Sequence, residues 1–277
     1  MTGWDPAQYL KFAQPRLRPA LELLARVQLD APAVVYELGC GTGALTTIMA
    51  ERWPGAVVTG VDDSSDMLQR AVPSAPNARW LRKDIATWAP EAAADLIYSN
   101  AALHWLPDHG QLLRRLIGYL APGGVLAVQM PRNFSAPSHV AIAEAARDGP
   151  WWARIEPLLH ESPVAEPRWY LDLLSSLCAS VDLWQTEYFQ ILSGENPVKE
   201  WTKGTWLQPL LAALAEPART EFEEAYARRV ARAYPPRADG TTVLPFLRLF
   251  FIASRAPLPV PATTLRRAGR AGRAGGA

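Results

Sequence analysis

A glycine-rich segment follows the first strongly apolar run of the chain. Residues 33–38 read AVVYEL, and Gly39, Gly41 and Gly43 come directly after them. Glycines at this spacing allow a sharp turn from a strand into a helix, and they let a ligand approach the helix N-terminus. A tight turn without a ligand is the plainer interpretation, but the position directly after a buried strand favours a ligand-binding loop.

Acidic residues stand at the ends of three successive strand-like runs. Glu37 lies at the end of the first run, Asp62 ends the second, and Asp84 follows the third. The carboxyl ends of parallel strands meet at one edge of a sheet, where ligands bind. Glu37 would then hold an ammonium group, Asp62 the hydroxyls of a ribose, and Asp84 an adenine amine beside the amide of Ile85. Helix capping by Asp62 and simple solvation of Asp84 are the alternatives.

The spacing of the glycine loop fits two classes of cofactor. Gly39-x-Gly41-x-x-Ala44 satisfies the dinucleotide pattern, whereas Gly39-x-Gly41-x-Gly43 satisfies the pattern used for S-adenosylmethionine. Glu37 separates the two, because a carboxylate would repel a pyrophosphate but suits a ligand with a cationic amino-acid end. The residues therefore favour S-adenosylmethionine, and a NAD-dependent oxidoreductase is the less favoured alternative.

Alternating strand and helix patterns would place these residues at one sheet edge. Apolar runs predict strands at 33–38, 56–62, 78–81, 94–100, 125–130, 181–192 and 243–254. Apolar strands that alternate with helices indicate a parallel sheet covered on both faces. We therefore predict an α/β fold, a Rossmann-like doubly wound sheet that is mostly parallel with its last strand antiparallel.

Two helix-rich insertions interrupt this pattern near its C-terminal end. Residues of about 132–180 and 195–240 fall where ligands bind in such sheets, and five of the 11 tryptophans lie there. We predict that they form a helical cap on a single domain over residues 1–256. Residues 257–277 have no apolar periodicity and carry four arginines, which predicts a disordered basic tail.

The composition argues against several other classes of function. Lys plus Arg number 28 and Asp plus Glu 27, a balance that does not indicate a nucleic-acid-binding surface. No apolar run reaches the roughly 20 residues that span a bilayer, and the N-terminus lacks the features of a signal peptide. The 2 cysteines and 4 scattered histidines match no metal site. We therefore expect a reduced cytoplasmic protein without a metal, a membrane anchor or a nucleic-acid partner.

Several segments resemble the successive motifs of class I S-adenosylmethionine-dependent methyltransferases. Those segments are VVYELGCGTG, GVDDSSDML, RKDI, ADLIYSNAALHWLPD and LAPGGVLAVQMP. More narrowly, the segments WDPAQYLKF, ALHWLPDH, VQMPRNFSAPSH and YPPRADGTTVLPFLRLFFIA are similar to the trans-aconitate methyltransferase family within that superfamily. The resemblance covers residues 4 to about 255 and leaves out the arginine-rich tail.

The resemblance implies a role for each motif residue. It implies that S-adenosylmethionine binds at the sheet edge and leaves as S-adenosylhomocysteine. The residues expected to bind this cofactor are Glu37, Gly39, Gly41, Gly43, Asp62, Asp63, Met67, Asp84, Ile85 and Asn100. His104 and Trp105 are expected to position the acceptor where it meets the methyl group, although a packing role for His104 is the plainer alternative.

The resemblance also implies methyl transfer to a carboxylate of trans-aconitate, which gives a monomethyl ester. A carboxylic acid with an unperturbed pKa of about 4 is ionised at neutral pH, so no general base is required. The main task of the site is then to align the carboxylate oxygen, the methyl carbon and the sulfur in a line. Another small organic acid or a hydroxylated metabolite is the alternative acceptor.

A tricarboxylate acceptor requires cationic side chains, and arginine offers two parallel donors. The residues expected to bind or enclose this small anionic substrate are Arg132, Tyr170, Trp201, Lys203, Arg237 and Arg248. Arg248 lies within the apolar run PFLRLFF, so it should have a buried anionic partner. That partner is either the substrate or Glu187 on the neighbouring strand.

Overall fold

The structure is a computed structural model that describes residues 13–71, 75–159 and 162–257. Apart from its first residue, the predicted tail therefore lies outside the described residues. Within them, seven strands form one sheet in the order β3-β2-β1-β4-β5-β7-β6. The strands are β1 Val34–Leu38, β2 Val57–Asp62, β3 Ala78–Arg82, β4 Ala94–Asn100, β5 Leu120–Pro131, β6 Ser180–Leu192 and β7 Thr242–Ser254.

Helices cover the sheet and extend beyond its carboxyl edge. The α-helices are α1 Ala13–Arg26, α2 Ala44–Arg52, α3 Ser65–Gln69, α4 His109–Gly118, α5 Pro137–Arg147, α6 Trp152–Ile155, α7 Pro167–Ser175, α8 Pro197–Lys203, α9 Leu207–Ala212 and α10 Ala218–Ala233. Short 3₁₀ turns occur at Leu103–Trp105 and Glu156–Leu158. None of the helices in the described ranges is long and apolar enough to cross a membrane.

The first five strands run parallel, and the last strand of the chain runs in the opposite direction. β1 pairs in parallel with β2 and β4, β2 with β3, and β4 with β5. β7 lies between β5 and β6 and is antiparallel to both. The predicted Rossmann-like sheet with an antiparallel last strand is therefore confirmed.

Apolar side chains cover both faces of the sheet, because alternate residues of a strand point to opposite sides. Tyr36 and Leu38 pack into the layer that contains α4 and α7, whereas Val35 packs into the layer that contains α1 and α2. This burial on both faces explains why the parallel strands read as continuous apolar runs.

The cap has an apolar core of its own. Helices α5, α6, α8, α9 and α10 enclose it, and its buried residues include Ile142, Ile155, Leu210, Phe222 and Tyr226. The proximity of these helices depends on packing within the cap as well as on the sheet below.

Helix α7 does not join this cap core, although it lies within the first predicted insertion. Its residues Tyr170 and Leu174 are buried in the sheet layer together with Phe251 of β7. The insertion at about 132–180 thus divides into a cap part, which contains α5 and α6, and a sheet part, which contains α7.

Candidate active site

A cavity of about 910 Å³ lies between the carboxyl edge of the sheet and the cap. This volume is within the roughly 300–1,000 Å³ of small-molecule sites. One side, the sheet wall, is lined by residues 39, 41, 62–67, 82, 84, 85, 100–102 and 104–106. The other side, the cap wall, is lined by residues 131, 133, 134, 139, 201–206, 208, 209, 246 and 248.

The three glycines of the loop have different surroundings. A Cβ atom at Gly39 would lie 2.2 Å from the Cβ of Ala102, and one at Gly43 would lie 2.2 Å from the ring of Trp80. At Gly41, apart from the two adjacent residues, no described atom lies within 4 Å of such a Cβ, and this residue lines the cavity. Gly39 and Gly43 therefore permit close packing, whereas Gly41 leaves room for a ligand against the backbone.

Asp62 is held in place by the loop that it faces. Its carboxylate accepts hydrogen bonds from the backbone N–H groups of Gly41, at 2.8 Å, and Ser64, at 2.9 Å. Burial raises the pKa of Asp62 above its ordinary value, although hydrogen bonds from backbone amides oppose that change. Ser64, and not Asp62, caps α3, because its hydroxyl accepts from the N–H of Met67. The Asp62 carboxylate is thus oriented at the edge of the cavity.

The structure brings most of the other predicted cofactor residues to the sheet wall. Asp63, Met67, Asp84, Ile85 and Asn100 all line the cavity. Asp84 accepts a hydrogen bond from the N–H of Ala86 at 2.8 Å. The Oδ1 atom of Asn100 is buried and has no hydrogen-bond partner among the described residues. Asn100 therefore presents a buried acceptor where β4 ends.

Arg82 is a cationic residue of the sheet wall that was not among the predicted site residues. Its Nε donates to the backbone oxygen of Asp63 at 3.2 Å. It ends β3 two residues before Asp84, so its position in the strand was the available signal.

Glu37 does not lie at the position that was predicted for it. Its carboxylate accepts a hydrogen bond from Thr46 of α2, and Glu37 is absent from the described lining of the cavity. Alternation along β1 turns its side chain toward α2, away from the loop surface that meets the cavity. Burial raises the pKa of Glu37 to about 8, and the charge of Asp62 adds to this effect. A direct bond from Glu37 to an ammonium group is therefore not supported.

His104 and Trp105 enter the cavity on the 3₁₀ turn that follows β4. His104 is 4% exposed, and its Nδ1 has no hydrogen-bond partner among the described residues. Burial lowers the pKa of His104 to about 3, and the charge of Arg248 lowers it further. The imidazole is therefore neutral at physiological pH, and its Nδ1 is unpaired within the described part of the chain.

Aromatic rings join the two walls of the cavity. Trp105 stacks on Trp206 with 4.7 Å between ring centroids, and Phe134 meets Trp206 edge-on at 4.9 Å. His139 lies beside them, and burial lowers its pKa to about 4. Trp201 also lines the cavity, as predicted from its position. The excess of tryptophan indicated an enclosed pocket, but nothing in the sequence distinguished Trp206 from its neighbours.

Two of the predicted cationic residues line the cap wall. Arg248 is 3% exposed, and its Nη1 donates to Gln129 Oε1 at 3.0 Å. Glu187 pairs in register with Leu247, so its side chain points to the opposite face from Arg248. The alternative that Glu187 neutralises Arg248 is therefore wrong. Lys203 lines the cavity as well, and its Nζ lies 2.7 Å from the carboxylate of Glu223.

The structure places Arg132, Tyr170 and Arg237 outside the described lining of the cavity. Arg132 points away from the cavity that its neighbour Pro131 lines, and it forms an ion pair with Glu166. Arg237 is half-exposed in a turn beside Asp239. Tyr170 is completely buried because α7 packs on the sheet. None of the three is therefore placed to bind a substrate in this cavity.

Comparison with known proteins identifies the family. A family model described as "Methyltransferase domain" matches residues 9–162. A trans-aconitate 2-methyltransferase from Azoarcus sp. is 47% identical over 255 residues, which cover 92% of this chain and 100% of the relative. A second one, from Methylobacterium radiotolerans, is 46% identical over 259 residues with the same coverage. The chain belongs to the trans-aconitate 2-methyltransferase family.

Membership of the trans-aconitate 2-methyltransferase family extends over both walls of the cavity, because the Azoarcus alignment spans the whole relative. It leaves the NAD-dependent alternative without support. Among solved structures, phosphoethanolamine N-methyltransferase 2 of Haemonchus contortus, in complex with S-adenosyl-L-methionine, matches with a TM-score of 0.52 at 15% identity. The match covers 86% of this chain and 52% of that chain, and it shows a shared fold.

Proposed function

We propose that the chain transfers a methyl group from S-adenosylmethionine to a carboxylate of trans-aconitate, forming a monomethyl ester and S-adenosylhomocysteine. The observation that carries this proposal is one cavity that joins a mainly acidic wall to a cationic one. Asp62, Asp63 and Asp84 line the sheet wall, whereas Lys203 and Arg248 line the cap wall. A cationic cofactor and an anionic acceptor would each meet charges of the opposite sign.

The sheet wall fits S-adenosylmethionine, which when bound supplies a methyl group on a positively charged sulfur. Gly41 leaves open space against the loop backbone. Asp62 keeps acceptor capacity for ribose hydroxyls, because a carboxylate offers about four lone-pair sites and the amides of Gly41 and Ser64 use two. The buried Oδ1 of Asn100 is an acceptor for the ammonium group, the role first expected of Glu37. Met67 and Ile85 supply apolar surface for the adenine ring.

The cap wall would hold the acceptor through its carboxylates. The guanidinium of Arg248 and the ammonium of Lys203 would bind the carboxylates that do not react. The reacting carboxylate is already ionised near neutral pH, so the site needs no base to remove a proton. His104 is neutral, so it can orient that carboxylate by a hydrogen bond without neutralising the negative charge on the attacking oxygen.

The aromatic rings would exclude water from the reacting groups. Trp105, Trp206 and Phe134 form a continuous apolar surface between the two walls. Such a surface strengthens the charge interactions inside the cavity, because it lowers the local dielectric constant.

Incubation of the protein with labelled S-adenosylmethionine and trans-aconitate tests the proposal. We expect a monomethyl ester by mass spectrometry, formed in proportion to S-adenosylhomocysteine. Citrate, cis-aconitate and a phenol serve as comparison acceptors, and trans-aconitate should give the highest kcat/KM. Ester formation no greater than in a protein-free control would reject trans-aconitate as acceptor, and turnover of another acid in the panel would replace it.

A further inference from the structure

A buried chain of hydrogen bonds lies behind the turn that carries His104 and Trp105. His109, the first residue of α4, is 6% exposed, and Tyr170 of α7 is completely buried. The Nε2 of His109 lies 2.9 Å from the backbone oxygen of Leu103, the first residue of the turn. Its Nδ1 meets the hydroxyl of Tyr170. The Tyr170 oxygen also accepts the N–H of Ala165 at 3.2 Å.

Backbone groups at the two ends fix the direction of this chain. The oxygen of Leu103 only accepts, so the imidazole proton of neutral His109 must lie on Nε2. Nδ1 is then an acceptor, and the Tyr170 hydroxyl must donate to it. The N–H of Ala165 only donates, which matches the remaining lone pair of Tyr170. Burial also lowers the pKa of His109, which keeps the ring neutral.

We propose that Tyr170 and His109 are positioning residues that hold the 3₁₀ turn against the cavity. Neither residue is among the described residues that line the cavity, so each acts through the Leu103 oxygen. These hydrogen bonds join α7 to the turn. They thereby connect the sheet part of the first insertion with His104 and Trp105, which face the methyl acceptor. Its catalytic consequence rests on the proposed function, but the placement of the turn does not.

The expected effect follows from the geometry that methyl transfer requires. A displacement of about 1 Å in a reacting group can lower a rate on the order of 100-fold. Tyr170→Phe removes the hydroxyl but keeps the ring, and His109→Leu removes both nitrogens. We expect each to lower kcat for trans-aconitate by about tenfold. The affinity for S-adenosylhomocysteine should remain unchanged, because Gly41, Asp62 and Asn100 lie outside the turn.

Two matched variants separate positioning from loss of stability. Tyr98→Phe also removes a buried hydroxyl, which donates to the Ala20 oxygen at 2.6 Å, but it lies in the sheet layer of α1 and α2. It should lower Tm as Tyr170→Phe does and leave kcat unchanged. His109→Gln retains an N–H donor near the Nε2 position and should restore part of the activity lost in His109→Leu.

Nitrogen-15 NMR of the histidine rings provides a readout independent of turnover. In the wild type, His109 should show the Nε2–H tautomer, and Tyr170→Phe should shift the resonances of both His109 and His104. An Nδ1–H tautomer at His109, an unmoved His104 signal, or a loss of kcat no larger than in Tyr98→Phe would overturn the positioning role. If the wild type methylated no acceptor, the proposed function would fail. The NMR shifts would still decide whether the hydrogen bonds of His109 and Tyr170 hold the turn.

Discussion

The sheet wall of the cavity takes its residues from the carboxyl ends of parallel strands and the segments that follow them, whereas the cap wall takes them from segments far apart in the chain. Gly41, Asp62 and Asn100 each lie at or directly after the end of a parallel strand. In the cap wall, Phe134 precedes α5, Trp206 lies between α8 and α9, and Arg248 lies inside β7. The sheet wall is thus set by strand order, while the cap wall depends on packing between distant elements.

The two walls also differ in charge and in the way that charge is supported. The carboxylate of Asp62 is held by backbone amides. Arg248 and Lys203 are held by side chains, those of Gln129 and Glu223. Backbone amides are present whatever the side chains are, so a loop of this kind can bind the cofactor in enzymes with different methyl acceptors. Supporting side chains differ from one sequence to another. We therefore expect the cap wall to determine specificity for the methyl acceptor.

The largest expected effect is at Arg248. Arg248→Met keeps much of the side-chain volume but removes the charge, and hydrogen bonds to a charged group contribute roughly 1.5–3 kcal/mol. We therefore expect kcat/KM for trans-aconitate to fall by about 10- to 100-fold, with unchanged affinity for S-adenosylhomocysteine. Steady-state kinetics and calorimetry measure the two quantities.

Arg237→Gln is the matched control for this experiment. Arg237 is half-exposed beside Asp239 and outside the described lining of the cavity, so its loss should leave kcat/KM unchanged. If Arg237→Gln lowered kcat/KM for trans-aconitate more than Arg248→Met did, the assignment of acceptor binding to the cap wall would be wrong.

The next largest effect is at Asp62, on the sheet wall. Asp62→Asn removes the negative charge and replaces one acceptor oxygen by a donor, so we expect the Kd of S-adenosylhomocysteine to rise by about tenfold. The KM for trans-aconitate at saturating cofactor should change little. Isothermal titration calorimetry and kinetics with both substrates varied check this pair of expectations.

Asp95→Asn provides a control of the same chemistry. Asp95 also accepts two backbone N–H groups, from Ala33 at 2.7 Å and Val34 at 3.0 Å, but it lies at the opposite end of β4. Its substitution should reduce Tm without changing the Kd. A rise in Kd of equal size in both variants would mean that Asp62 acts only through the stability of the sheet.

The difference between the walls also explains what the sequence could predict. Asp62, Asp84 and Asn100 could be located because each comes directly at or after a strand, and parallel strands bring such ends together. Glu37 shows the limit of this reasoning even on the sheet side. Its place in the motif was clear. The face of β1 to which it points was not, because a strand that is buried on both faces shows no alternation of polar and apolar residues.

On the cap side, local patterns were not sufficient. Arg132 and Arg248 are both arginines in or beside apolar strands, yet only Arg248 points into the cavity. Tyr170 was expected among the cap residues, but α7 packs on the sheet instead. Trp206 acquires its place only when α8, α9 and the turn after β4 come together. These outcomes depend on long-range packing, which spacing along the chain does not encode.

The last effect that we predict concerns the pH dependence of stability and not the kinetics. The pKa of His104 falls from an ordinary 6.5 to about 3 on burial, so below 6.5 the unfolded chain binds a proton that the folded chain does not. His139 acts in the same direction. Stability from these residues is therefore lost as the pH falls. The pKa of Glu37 rises from 4.5 to about 8, so between those values the folded chain binds the extra proton and gains stability as the pH falls.

These opposite signs distinguish the histidines of the cavity from the acid beneath the sheet wall. Between about pH 7 and pH 5, His104→Gln should lose less free energy of unfolding than the wild type, and Glu37→Gln should lose more. Each difference should be on the order of 1–2 kcal/mol, because one proton corresponds to about 1.4 kcal/mol per pH unit. Urea unfolding at both pH values measures it, and comparing each variant with itself removes the cost of the substitution. If both substitutions changed the pH dependence in the same direction, one of the two assigned protonation states, neutral His104 or protonated Glu37, would be wrong. The electrostatic contrast between the two sites would then no longer hold.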